Sequence, residues 1–217
     1  MKAVSVAIGK KYEIEAERLK DSIKNVEIIT DKHPLYKRIN DDDLINALYC
    51  KSNFINYIEK FEDSVLFCDA DLFSLIDNPL KDFSVNKTTE IAYVPYPGRW
   101  FLPDKIRQEA FDYHGHKINS GFIYFSSYEI AKKVCDQWAY EYLEREKLYD
   151  VIKGTSKYEY DEWALMIALQ KLKLKVELLD KKWNIWELKD EKEILNSNGI
   201  FFQSHKHLNI RNLIINY

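Results

Sequence analysis

Two carboxylates, Asp69 and Asp71, close a short apolar run in "SVLFCDADLF" (64–73), with only Ala70 between them. If that run is a β-strand, residues two apart point the same way, so both carboxylates converge on one point. A pair of carboxylate oxygens there suits a hard divalent cation such as Mn²⁺ or Mg²⁺, ions that readily bridge to substrate phosphates. The plainer alternative is an Asx-type turn in which Asp71 caps the turn that follows.

The cation chemistry requires a strand that ends at a ligand-binding face, and the flanking sequence supplies the setting. "AVSVAI" (3–8) reads as a strand, "YEIEAERLKDSIK" (12–24) as a helix and "VEIIT" (26–30) as a second strand. Asp41, Asp42 and Asp43 open a helix carrying Leu44, Leu48, Ile55 and Ile58, with the acidic residues at the favourable end of its dipole. Strands are expected at 64–68, 91–96 ("IAYVPY") and 118–125 ("INSGFIYF"). Ile130, Val134, Trp138 and Tyr142 then form a helical stripe, and a helix at 161–172 and a strand at 175–179 follow. This alternation predicts an α/β fold, a mostly parallel central sheet flanked by helices. In such sheets ligands bind outside the carboxyl ends of the strands, where Asp69 and Asp71 would lie. The least regular stretch, 96–117 ("YPGRWFLPDKIRQEAFDYHGHK" from Tyr96), is long for a loop in a compact domain, and such loops are often functional.

Composition narrows the function classes. The chain has 217 residues, 46% hydrophobic and 31% charged, with a net charge of −3, which suits one large domain or at most two small ones, with a sizeable core. Lys and Arg are spread along the chain, against a nucleic-acid binder. No apolar run is long enough to span a membrane, and the N-terminus does not read as a signal peptide. Cys50, Cys68 and Cys135 have no metal-binding spacing and read as reduced buried thiols, consistent with a cytoplasmic location.

Five short segments, in order, resemble the nucleotide-sugar glycosyltransferases of the GT-A fold, nearest to glycosyltransferase family 8 and its relatives. "SVLFCDADLF" resembles their metal-binding Asp-x-Asp signature, which implies Asp69 and Asp71 as metal ligands and Asp69 and Ala70 as donor contacts. "VAIGKKY" resembles the first-strand loop that holds the nucleobase, which implies Ala7 and Ile8 in the pocket wall and Tyr12 stacked on the base. "NSG" resembles the element beside the donor sugar and implies Asn119, Ser120 and Gly121. "YDEWAL" resembles the helix start that lines the sugar pocket and implies Asp161 and Glu162 as the catalytic carboxylates. "FFQSHKH" resembles the late strand whose histidine, here His205 with His207 as rival, completes the metal site. The chain departs from the family in two places: Gly9, Lys10 and Lys11 replace an acidic Asp-x-Asn-Tyr, and His205 is followed by Leu208 and Arg211 where a glycine and a lysine are usual.

The resemblance implies one GT-A (Rossmann-like) domain over 1–217, with a nucleotide-binding part at about 1–95, an acceptor loop at about 96–117 and a sugar- and metal-completing part at about 118–217. It implies a metal-dependent transferase using a nucleotide-sugar donor, UDP-hexose with retention, and a glycan or protein-linked acceptor. The short chain would also suit one domain of a longer transferase. Expelling a nucleoside diphosphate builds negative charge on the β-phosphate, which Mn²⁺ or Mg²⁺ would offset, helped by Lys51, Lys206 or Arg211. In a retaining enzyme Asp161 or Glu162 would orient the sugar or steady oxocarbenium charge; in an inverting one, either would be the acceptor's general base. Each residue has a bland alternative. Tyr12 packs in the core, Asp161 caps its helix, Asn119–Gly121 is a bulged strand start, and the two histidines are solvated. His114 and His116, with Trp100, Phe101 and Tyr113, fit an acceptor loop better than a second metal site. Two rival functions stand beside the transferase: a haloacid-dehalogenase-type phosphohydrolase, whose motif would lie on the first strand, and a non-catalytic nucleotide-sugar-binding domain.

Overall fold

A computed structural model of the chain describes residues 1–96, 117–146, 160–185 and 197–203. Strands β1 (Lys2–Ala7), β2 (Glu27–Thr30), β3 (Val65–Cys68), β5 (Ile91–Tyr96), β6 (Lys117–Phe125) and β7 (Val176–Leu178) form one sheet in the order β2-β1-β3-β6-β5-β7. A small antiparallel pair, β4 (Leu72–Ser74) and β8 (Phe201–Gln203), stands apart from it. Five of the six sheet strands run the same way, and β6 is antiparallel to both neighbours, β3 and β5. The helices are α1 (Lys10–Ser22), α2 (Asp43–Ser52), α3 (Tyr128–Glu146) and α4 (Tyr160–Leu172).

The central strand β3 is apolar throughout because both its faces are covered. Val65 and Phe67 join Phe54, Phe125, Trp138 and Trp163 on one side. Leu66 and Cys68 join Leu19, Phe122, Trp183 and Phe201 on the other. Cys50, Cys68 and Cys135 are free and buried, and burial pushes each thiol upward, as reduced core cysteines require.

The helix expected from Asp41 through Ile58 is shorter. It starts at an N-cap, Asp42, whose side chain accepts the Leu44 N–H at 2.9 Å. It ends at Ser52, and Phe54–Tyr57 turns as a 3-10 helix instead. Asn53 and Asn56 bond to each other there, the local side-chain competition that favours turns over helix interiors. No helix among the described residues is long and apolar enough to cross a membrane.

Candidate active site

The reversed direction of β6 builds the site. Because β6 runs against β3, its first half lies beside the end of β3, with Phe122 opposite Cys68. The next residue, Asp69, donates its backbone N–H to Gly121 O at 2.9 Å. Against β5 the register jumps, from Ile123 opposite Tyr93 to Asn119 opposite Val94, so Ser120, Gly121 and Phe122 bulge out of that ladder. Bulges re-aim side chains, and this one turns Asn119 and Ser120 inward beside the Asp69–Asp71 segment. The bulged strand start expected at Asn119–Gly121 is therefore present, and it lies beside the Asp69–Asp71 segment.

The charged centre is buried and crosses three elements. Lys51, from the last turn of α2, places its Nζ 2.8 Å from Asp69 Oδ1 and 3.0 Å from Asp69 Oδ2. The same Nζ lies 3.0 Å from Asp161 Oδ2, in the first turn of α4. Ser120 Oγ donates to that Asp161 oxygen at 2.8 Å, and the Ser120 N–H reaches Glu162 Oε1 at 3.4 Å. Trp138 Nε1 donates to the Asp161 carbonyl at 2.6 Å, which pins the start of α4 against α3. Asp161 thus turns its carboxylate onto Lys51 and Ser120, in the interior of the site.

The charges shift one another in a consistent way. Burial alone would lower the Lys51 ammonium, but Asp161 and Asp69 together outweigh it and hold the lysine charged well above its usual range. Burial raises the Asp69 carboxyl; Lys51 offsets part of that, and the Asp71 charge adds to it. Both members of the pair move upward because Lys51 has two carboxylates to itself, whereas Asp69 shares its lysine and faces a second aspartate.

Behind the carboxylates lies a chain of buried amides. The Gly121 N–H donates to Asn119 Oδ1 at 2.7 Å, and Asn184 Nδ2 donates to the same oxygen at 2.9 Å. Asn184 Nδ2 also reaches Gln203 Oε1 at 3.1 Å. Gln203 Nε2 then donates to Asp69 Oδ2 at 2.8 Å and to Asp71 Oδ1 at 3.2 Å. Gly121 is required by space. A Cβ there would sit 2.6 Å from Gln203 Oε1 and 2.9 Å from both Asn119 Oδ1 and Asn184 Nδ2.

At the end of β1 the backbone turns at Gly9, with φ 89° and ψ 151°, a conformation open essentially to glycine alone. The Gly9 carbonyl accepts from the N–H groups of Tyr12 and Glu13, starting α1. Ala7, Ala16 and Ala70 form a small cluster against which half-buried Tyr12 packs. Ala7, Ala70 and Tyr12 are thereby brought together. Ile8 is different: its side chain is buried in the main core and not in this cluster.

The donor set can be tested for a divalent cation. Asp69 Oδ2 and Asp71 Oδ1 do converge on one point, where a single amide nitrogen now sits. Among the described residues no group of three His, Cys, Asp or Glu side chains is placed to hold a metal. The carboxylate pair fits a cation whose remaining ligands come from elsewhere. His205, His207, Lys206 and Arg211 lie outside the described residues, as do Trp100, Phe101, Tyr113, His114 and His116 of the expected acceptor loop.

Sequence reasoning missed Gln203 and Asn184 and took Trp138 only as core. "FFQ" flags a short strand, but an amide carries no charge or spacing that would mark it, and its partners lie far away in sequence.

Comparisons with known proteins bear on the family and the fold. The family model described as nucleotide-diphospho-sugar transferase matches residues 22–207, most of the chain. No curated protein sequence matches the chain. Among solved structures, a glycosyltransferase involved in glycosylation of the major capsid of PBCV-1 is similar over 100% of both chains, at TM-score 0.56 and 12% identity. The bifunctional glycosyltransferase WbbM is similar over 95% of this chain and 46% of its own, at TM-score 0.54 and 13% identity. The galactosyltransferase LgtC, solved with donor and acceptor sugar analogs, is similar over 95% of this chain and 87% of its own, at TM-score 0.50 and 13% identity. At these identities the likeness is one of fold, the GT-A fold. The chain spans less than half of the bifunctional protein. The phosphohydrolase alternative falls here: the family is a transferase family, and the aspartate pair follows the third strand in the chain, not the first.

Proposed function

The chain belongs to the nucleotide-diphospho-sugar transferase family, and from that premise we propose that it transfers a hexose from a UDP-linked donor to a glycan or protein-linked acceptor, with retention and with Mn²⁺ or Mg²⁺ at Asp69 and Asp71. The observation that carries this reading is the buried Lys51, on α2, which ties Asp69, just after β3, to Asp161, in the first turn of α4. That arrangement holds a diphosphate-facing carboxylate pair and a sugar-facing carboxylate a fixed distance apart.

In the reaction the bond between the anomeric carbon and the β-phosphate oxygen breaks, and a bond to an acceptor oxygen forms as the acceptor loses its proton. When bound, the divalent ion supplies Lewis-acid stabilisation of the departing diphosphate. Asp69 and Asp71 hold that charge in place, and Lys51 keeps Asp69 ionised and oriented. Asp161 and Glu162, fixed by Ser120, face the sugar and steady the positive charge that develops on its ring. Tyr12, over Ala7 and Ala70, offers a face for the base. Residues 1–95 take the nucleotide and 118–217 complete the sugar and metal sites, with His205, Lys206 and Arg211 closing on the diphosphate.

The test is a panel of nucleotide sugars with and without Mn²⁺, read as release of nucleoside diphosphate. UDP released only with the ion present is the expected result. UDP binding without release for any donor or acceptor would instead favour a non-catalytic binding domain.

A further inference from the structure

Gln203 is buried, 2% exposed, and lies in the "FFQSHKH" segment without being one of the site residues expected from it. Its position is nevertheless central, because one atom, Nε2, donates to both Asp69 and Asp71. An amide nitrogen of Gln can be told from its oxygen only by its surroundings, and here the surroundings decide. Gly121 N–H is a donor, so Asn119 must turn its Oδ1 toward it. Asn184 meets that same oxygen and must present Nδ2. Gln203 meets Asn184 Nδ2 and must present Oε1, which sends its Nε2 to the carboxylates. Turning Asn184 round would set its oxygen against both Asn119 Oδ1 and Gln203 Oε1. Asn184 Oδ1 is buried with no hydrogen-bond partner among the described residues, a cost this orientation accepts. Every amide between the Gly121 N–H and the carboxylate pair is thus fixed in one orientation.

We propose that the Gln203 amide occupies the seat of the divalent cation in the ligand-free protein and competes with it, acting as a fixed hydrogen-bond donor and not as a metal ligand. This rests on the reading that Asp69 and Asp71 take a cation. A cation approaching both oxygens must displace two charge-assisted hydrogen bonds and disturb the amide chain behind them. Binding of the ion alone is therefore weakened, and the donor's phosphates, as additional ligands, favour its entry together with the nucleotide. Gln203 is a positioning residue, for it touches the carboxylates and not the reacting atoms.

The experiment is a Mn²⁺ titration followed by the electron paramagnetic resonance signal of the free ion, with and without UDP. It compares the wild-type chain with Gln203→Met, of similar length and without donors. Loss of two hydrogen bonds to charged groups in the free state should tighten Mn²⁺ binding about tenfold or more without UDP, and less with it. Asn184→Ala, which frees Gln203 to turn, should tighten binding in the same direction and serves if Gln203→Met does not fold. Equal affinity in variant and wild type overturns the proposal while leaving the cation reading intact. Weaker binding in Gln203→Met also overturns it and makes Gln203 a ligand. No Mn²⁺ bound by either protein, even with UDP, overturns the cation reading and the proposal with it.

Discussion

Asp161 is the carboxylate where the proposed chemistry and the observed contacts meet. It receives Ser120 Oγ and Lys51 Nζ on one oxygen, while its carbonyl holds Trp138. Asp161→Asn keeps the shape and removes the charge. We expect the fold to survive and turnover to fall by roughly two orders of magnitude or more, the usual scale for a positioned electrostatic group. Donor affinity should change less, because the group acts mainly in the transition state; steady-state kinetics beside UDP titration separates the two. At Asp69 the matter is pH. Its carboxyl titrates above the ordinary aspartate value because burial and Asp71 outweigh Lys51. The ionised form is the one that binds a cation, so acidification removes it earlier than it would an exposed aspartate. In the metal-free protein the Asp69 carboxyl, followed by NMR as the pH falls, should therefore protonate above the ordinary aspartate value. A midpoint at or below that value would show that Lys51 dominates.

At the scale of elements, the antiparallel β6 and its bulge decide where the site forms. Three amide groups crowd Gly121, at 2.6 to 2.9 Å from where a Cβ would stand. Gly121→Ala should cost about 1–3 kcal/mol of stability, the range for overpacking a rigid interior, measured by urea denaturation. It should also loosen the Asp69 segment, which hangs from the Gly121 carbonyl. Gly9→Ala makes a useful contrast. Nothing lies within 4 Å of its would-be Cβ, so any loss there comes from backbone conformation and not from space.

For the whole molecule, the site joins the end of β1, the end of α2, the turn after β3, the first half of β6, the start of α4 and the end of β8. A ligand that touches them all ties distant parts of the chain together and stabilises the native state by mass action. The UDP–Mn²⁺ complex, bound as one ligand at about one hundred times its dissociation constant, should add about 2.7 kcal/mol. For a domain of this size that corresponds to a rise in Tm of roughly 5 to 10 °C. Each alone should shift Tm less than the two together, as differential scanning fluorimetry would read directly.

The sequence by itself determined what depends on neighbours along the chain. The β3 run ending in Asp69 and Asp71, the Asp42 cap, the stripe through Trp138 and the start of α4 at Asp161 are local patterns of period, charge and capping, and they were legible to within a residue or two. The mostly parallel sheet followed from the alternation of those elements. Only the tertiary structure decided that β6 runs the other way, that the helix of Asp43 stops at Ser52, and that β4 pairs with β8. Lys51, expected as an extra positive charge for the phosphates, is shared by Asp69 and Asp161, 18 and 110 positions away. Gln203 and Asn184 left no mark at all. The reason is physical: an amide is selected for the geometry of its hydrogen bonds, and here those bonds join the turn after β3, β6, the turn after β7 and β8, segments up to 134 residues apart that only the fold brings within 3.1 Å.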